Sequence, residues 1–310
     1  MLIEAEQLTK SYGPVHAVNG IGLYLKKGES VGLLGPNGAG KSTLIEMLSS
    51  LSKPSKGKIF LNGKSIHSQL TSFREKIGVV PQDIALYNEL TARENLQFFG
   101  KAYKLKGDAL TERVNELLTL MELDERKNHQ VKTFSGGMKR RLNLAVALIH
   151  QPEFLILDEP TVGIDPHSRR HLLDLIRKLQ QEEGKTILYT SHYMEEVEFL
   201  CDRIYIMDRG SIIASGTKNE IKQILSIERT YEITVHIQKN SLKEQLEALD
   251  AVKSVVEIES GYRVVSYEKE LFKELLQAAQ GENVEVRAIK VEEATLEDVF
   301  LHLTGRTLRD

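Results

Sequence analysis

The sequence predicts an α/β body followed by a smaller α+β domain. Three observations carry that expectation. Strand-like and helix-like segments alternate through the first half; residues 29–34 read as a buried strand running into a glycine-rich turn and a helical pattern at 42–48. Beyond residue 229 the rhythm changes to the order β-α-β-β-α-β, the split unit of ferredoxin-like folds. A chain of 310 residues is also long for one compact domain.

The elements follow in order. Residues 91–122 are purely helical in pattern: Thr91 with Glu94 forms a capping-box signal, and Asp108 is placed to cap a second helix carrying Val114, Leu117, Leu118 and Met121. This stretch is a helical insertion in the α/β body. Strand 154–157, helix 172–179 and strand 186–190 resume the alternation. Residues 203–207 and 211–214 flank Asp208-Arg209-Gly210, a hairpin signal, and 218–228 joins the two domains. In the second domain Tyr231, Ile233, Val235 and Ile237 alternate with polar neighbours as a half-buried strand. A helix with Leu242, Leu246 and Leu249, strands at 255–258 and 262–267, a helix at 271–279 and a strand at 284–288 complete the unit. A last amphipathic helix presents Leu296, Val299, Phe300 and Leu303, starting at the Thr295 and Asp298 pair and stopping at Gly305.

Composition narrows the function classes. With 41% hydrophobic and 27% charged residues, a sizeable core under a charged surface is expected. A net charge of −3 gives no general drive toward nucleic acid, and no nucleic-acid partner is expected. The short run Lys139-Arg140-Arg141 reads as a solvated helix face. Cys201 is the single cysteine, so no intrachain disulfide forms, which fits a reducing compartment. Met1-Leu2-Ile3-Glu4 lacks the pattern of a signal peptide, and no apolar run approaches the roughly 18 residues that span a bilayer. Membrane contact is therefore expected only through a partner protein.

Gly35-Pro36-Asn37-Gly38-Ala39-Gly40-Lys41-Ser42 fits the phosphate-binding pattern G-x-x-x-x-G-K-[ST], in its required strand-then-helix context. Glycines let backbone amides turn inward around phosphate oxygens, and the helix start adds its positive dipole end. Lys41 is expected to reach the β- and γ-phosphates of ATP and Ser42 to hold Mg2+, with Thr43 in the same nucleotide-binding set. Phe154-Leu155-Ile156-Leu157-Asp158-Glu159 has the apolar run of a central parallel strand ending in two acids. Ligand chemistry gathers at the carboxyl ends of such strands. Asp158 is accordingly expected to hold magnesium and Glu159 to polarise the attacking water.

Phe134-Ser135-Gly136-Gly137-Met138-Lys139-Arg140-Arg141, lying between these two motifs, resembles the signature of the ATP-binding cassette family. Ser135 is a good N-cap, and the two glycines leave amides open toward an anion. The resemblance covers roughly residues 1–220. It implies a mostly parallel core sheet, an N-terminal antiparallel β part, a helical subdomain at about 83–150, and residues 229–310 as an accessory domain. It also implies roles for four further sites: Tyr12 stacking on adenine, Gln82 sensing magnesium and water, Gly163-Ile164-Asp165-Pro166 coupling two active sites, and His192 contacting the γ-phosphate. Phe134 departs from the family's commoner leucine and Met138 from its glutamine. Both variants, and the ending Ala294-Thr295-Leu296-Glu297-Asp298-Val299-Phe300, are similar to the exporter branch that includes drug- and antibiotic-resistance pumps. The implied partners are an integral membrane permease and a second ATP-binding subunit, expected as a homodimer. The implied location is the cytoplasmic face of the membrane, bound through the permease. Ile84, Leu86 and Tyr87 are candidates to receive a permease helix. The C-terminal domain reads as a dimerisation or regulatory module. A soluble relative acting on a non-membrane partner such as the ribosome is the alternative reading; it usually carries two cassettes per chain and basic surfaces.

Overall fold

The computed structural model describes residues 1–224, 229–268, 270–292 and 295–305. The chain divides into two compact units, one built on Met1–Lys218 and the other on Asn219–Leu303.

The first unit opens with β1 (Ile3–Tyr12), β2 (Val15–Leu25), β3 (Ser30–Leu34) and α1 (Lys41–Leu48). Then come β4 (Lys56–Leu61), β5 (Lys64–Ser65), α2 (Leu70–Arg74) and β6 (Ile77–Val80). Three helices, α3 (Ala92–Ala102), α4 (Gly107–Leu120) and α5 (Gly136–Leu148), precede β7 (Phe154–Asp158). The order closes with α6 (Pro166–Gln181), β8 (Thr186–Thr190), α7 (Met194–Leu200), β9 (Arg203–Asp208) and β10 (Ser211–Thr217).

The strands make two sheets. β2-β1-β4-β5 is antiparallel, while β10-β9-β3-β8-β7-β6 is parallel except for the β9–β10 hairpin. All five residues of β3 and of β8 are buried, as are the first four of β7, so these strands are covered on both faces. Close packing behind β3 explains Gly32: a Cβ there would lie 2.8 Å from Val197 Cγ1 and 3.3 Å from the Cys201 sulfur. Cys201 is itself buried, and burial pushes its thiol pKa up to about 12.

Helices α3 to α5 form the insertion between β6 and β7. At its start Thr91 Oγ1 accepts the Glu94 N–H and Glu94 returns the bond to Thr91 N–H, a complete capping box. Asp108 is not a cap. Gly107, at φ 57°, turns the chain into α4 one residue earlier, and Asp108 falls in the first turn, where its charge still meets the positive helix end.

α8 (Lys218–Gln223) begins the stretch expected to join the domains; residues 225–228 of that stretch lie outside the described residues. The second unit contains β11 (Arg229–Val235), α9 (Asn240–Glu247), β12 (Val252–Ile258), β13 (Gly261–Ser266), α10 (Phe272–Gly281), β14 (Val286–Glu292) and α11 (Leu296–Thr304). Its antiparallel sheet has the order β12-β13-β11-β14. Tyr231, Ile233 and Val235 of β11 are buried in one core with Leu242, Leu246 and Leu275 of α9 and α10. The alternation stops short of Ile237, which lies beyond β11 and is exposed. The last strand runs over 286–292 rather than 284–288, with Val284 buried ahead of it. α11 starts where expected, with Thr295 and Asp298 exchanging hydrogen bonds; Ala294 lies outside the described residues. No helix among the described residues is long and apolar enough to cross a membrane.

A half-buried ion pair ties the central sheet to the antiparallel one. Arg203 Nε donates to Glu29 Oε1 at 2.6 Å and its Nη2 donates to the Tyr24 carbonyl at 2.8 Å. Arg203→Ala leaves the half-buried Glu29 without its cation and the Tyr24 carbonyl without a donor, and we expect it to lower unfolding free energy by about 2 kcal/mol in denaturant titrations.

Candidate functional site

β3 ends at Leu34, and the next six residues form a tight loop before α1. Gly40 has φ 100°, and a Cβ on it would lie 2.2 Å from the Ala17 carbonyl oxygen. A Cβ on Gly35 would lie 2.4 Å from the Met207 carbonyl oxygen. The loop can therefore be made only with glycine at these points. Lys41, the first residue of α1, is buried, and its ammonium donates to the carbonyls of Gly35 at 2.6 Å and Pro36 at 3.1 Å. Burial lowers its pKa, while Glu159 and Asp158 act in the opposite sense. Ser42 is exposed and Thr43 half-buried beside it, while Asn37 and Gly38 are exposed and Ala39 buried along the loop.

The two acids stand at the end of β7. Thr190, the last residue of β8 and paired with Asp158, donates its hydroxyl to Asp158 Oδ1 at 2.7 Å. The same hydroxyl oxygen accepts the Glu159 backbone N–H at 3.0 Å. Glu159 is buried, with a left-handed backbone at φ 47°. Its Oε2 accepts from Gln82 Nε2 at 3.0 Å, and its Oε1 lies 2.6 Å from His192 Nε2. Gln82, Glu159 and His192, from beyond the carboxyl ends of β6, β7 and β8, thus form one chain of contacts. Asp158 has a raised pKa, first because it is buried and then because Glu159 is adjacent; Thr190, Lys41 and His192 hold it down.

The N-terminus of α5 is built separately. Ser135 caps it by accepting the Met138 N–H at 3.3 Å, and Ser135 and Gly136 are exposed. Gly137 is buried against α6, where a Cβ would lie 2.4 Å from Ser168 Oγ. Gly136 sits over Gly163 and Ile164, and Asp165 caps α6 by accepting the Ser168 N–H at 2.9 Å with Pro166 in the first turn. Phe134 is buried. Tyr12 stands half exposed at the tip of the β1–β2 hairpin, whose Ala17 abuts Gly40.

The basic run on α5 is not a solvated face. Arg140 is buried, donating to the carbonyls of Gln82 and, at 2.9 Å, Val162. Arg141 donates to the Met121 carbonyl at 2.7 Å. Arg140 thereby joins α5 to the segments carrying Gln82 and following Glu159. Composition gave no sign of this, because a short charged run looks alike whether carbonyls or water receive it. Thr190 likewise has nothing in its local sequence that marks it as the donor to Asp158.

A cavity of about 380 Å³ lies beside Pro81. Leu51, Val79, Phe99, Tyr103, Val146 and His150 line it, with the Tyr103 and His150 rings stacked at 3.8 Å. Ile84 and Leu86 are half-buried outside this lining, and Tyr87 packs edge-on against Phe98 at 4.8 Å.

The donors Ser42, Gln82 and Asp158 are alcohol, amide and carboxylate oxygens, a hard set that fits magnesium. Among the described residues no cluster of three or more His, Cys, Asp or Glu could cage a metal. Magnesium commonly completes its shell with phosphate oxygens and water instead.

Residues 18–162 match the family model described as ABC transporter, and residues 216–304 match the one described as ATP-binding protein DrrA1-3-like, C-terminal domain. The chain is 46% identical to the linearmycin resistance ATP-binding protein LnrL of Bacillus subtilis (strain 168), with 100% of each chain covered. It is 37% identical to the daunorubicin resistance ATP-binding protein DrrA3 of Streptomyces coeruleorubidus, over 98% of this chain and 96% of that one. It is 39% identical to the Nod factor export ATP-binding protein I of Rhizobium meliloti (strain 1021), over 99% and 89%. Among solved structures, a dimeric ATP-binding cassette in a post-hydrolysis state with ADP and Pi matches with TM-score 0.64 and 30% identity, over 70% of this chain and 98% of that one. An ABC transporter complex component from Clostridium perfringens matches with TM-score 0.66 and 31% identity, over 73% and 94%.

The raised pKa of Asp158 makes a prediction. Its charged form is disfavoured in the fold, so at pH 7 its ionisation costs stability, a cost absent below its ordinary value of 3.8. Asp158→Asn keeps the acceptor for Thr190 and removes the charge. Thermal melts of ligand-free protein should show the variant more stable than wild type at pH 7, with the gap closing as pH falls toward 4.

Proposed function

The chain belongs to the ABC transporter ATP-binding family, and on that premise we propose that it hydrolyses ATP to drive export through a separate membrane permease. The observation that carries the hydrolytic part is the contact chain Gln82–Glu159–His192, set beside a buried lysine in a glycine-lined loop. In this reading Lys41 exchanges the Gly35 and Pro36 carbonyls for the β- and γ-phosphates of ATP, while amides of residues 35–43 surround them. Tyr12 stacks on the adenine. Glu159 takes a proton from a water molecule as its oxygen bonds to the terminal phosphorus; the bond to the bridging oxygen breaks, leaving ADP and phosphate. Gln82 and His192 orient Glu159 and that water, and His192 faces the γ-phosphate. Ser42, Asp158 and Gln82 would hold magnesium, which when bound offsets the negative charge of the phosphates.

Gly137 lies against α6 and Gly136 over Gly163 and Ile164, with Ser135 exposed beside them. We assign them to the nucleotide of a second copy, so that two chains enclose two ATP molecules; the match to a dimeric cassette supports this. Export is favoured by the resistance and export functions in the relatives' names. The cavity lined by Leu51, Val79 and Phe99 is the proposed seat for a cytoplasmic segment of the permease, and in this reading the chain works on the cytoplasmic face of the membrane. We assign the ATPase to residues 1–220 and an accessory, dimer-stabilising or regulatory role to 229–310.

Two tests follow. Lys41→Ala should lose ATP retention in equilibrium binding. Glu159→Gln should retain ATP, lose about 100-fold or more in kcat, and elute as a dimer on size exclusion with ATP; a monomer at saturating ATP refutes the two-chain site. Leu51→Glu should lower transport in reconstituted vesicles while leaving basal hydrolysis within about twofold.

A further inference from the structure

Among the described residues, one buried carboxylate takes no part in the proposed hydrolysis. Glu196 of α7 is 2% exposed, and an acid so deeply buried needs hydrogen-bond donors. Its Oε2 accepts three hydroxyls: Tyr189 at 2.8 Å, Ser191 at 2.5 Å and Thr161 at 3.0 Å. Its Oε1 makes no hydrogen bond, and Arg169 Nε stands 3.6 Å from it. Burial, and then the neighbouring carboxylate, push the Tyr189 phenol well above its ordinary pKa, so Tyr189 is a donor here.

These partners fall on the segments that carry the hydrolytic groups. Thr161 is two residues beyond Glu159 and adjoins Val162, whose carbonyl receives Arg140. Tyr189 and Ser191 flank Thr190, which holds both Asp158 and the backbone of Glu159. Ser191 Oγ, while donating to Glu196, accepts the Tyr193 N–H at 2.9 Å. The Arg169 guanidinium lies 4.0 Å from the Tyr193 ring centre. Both chain neighbours of His192 are thus fastened through one carboxylate.

We infer that Glu196 is a positioning residue for hydrolysis: by holding the Ser191-His192-Tyr193 turn and the Thr161 segment together, it sets His192 against Glu159. The inference rests on the ATPase reading above. A carboxylate that served only folding would change stability without singling out His192.

The test is a double-mutant cycle on the full chain, with wild type, Glu196→Gln, His192→Ala and the double variant compared by kcat, ATP dissociation constant and melting temperature. Glu196→Gln should lower kcat about tenfold or more, leave ATP affinity within about twofold, and add little to His192→Ala. Ser191→Ala, a smaller change, should show the same pattern more weakly and decides the matter if Glu196→Gln does not fold. An equal loss of kcat with and without His192, or a lowered melting temperature with unchanged kcat, overturns the inference alone. A wild-type chain that does not hydrolyse ATP, or a fully active His192→Ala, overturns the functional reading and this inference with it.

Discussion

Asp158 and Glu159 stand side by side at the end of a strand covered on both faces, and neither can lie there without donors. Much of the surrounding structure supplies them. Thr190 serves both, through its hydroxyl proton to Asp158 and its oxygen to the Glu159 N–H. Gln82 and His192 take the two oxygens of the Glu159 carboxylate, and Lys41 places a positive charge nearby. The left-handed backbone at Glu159, a conformation that costs a non-glycine residue about 1 kcal/mol, turns its side chain out of the strand's alternation. Carboxylates held by several fixed donors in this way are the kind of arrangement that electrostatic preorganisation uses.

How much of this could be read beforehand depends on where each signal is written. The glycine loop and the apolar run into two acids are local patterns with a fixed chemical meaning, and their residues lie together in the fold. The capping box at Thr91 and the alternation of β11 are equally local. Contacts across the chain are not. Arg140 reaches back 58 residues to Gln82, and Thr161 reaches forward 35 to Glu196, so neither stands out from its neighbours. The cavity beside Pro81 is equally hard to read from local sequence, because its walls come from β6, α3 and α5 together.

The second unit shows how closely a simple rhythm can specify topology. Period-two burial sends Tyr231, Ile233 and Val235 toward one face, and α9 and α10 cover that face. Gly261 permits the closest approach, since a Cβ there would lie 1.9 Å from the Ile233 carbonyl oxygen. At β14 the strand starts two residues later and ends four residues later than its apolar pattern suggests, and apolar Val284 is buried ahead of it.

The buried Cys201 leaves the folded surface without a native thiol. Its sulfur is walled in behind Gly32, with a thiol held protonated across the ordinary working pH range, and it is the sole cysteine in the chain. A maleimide offered to the folded protein has no native target. Any single cysteine introduced on the surface therefore becomes a unique attachment point for a fluorophore or spin label, with no background to engineer away.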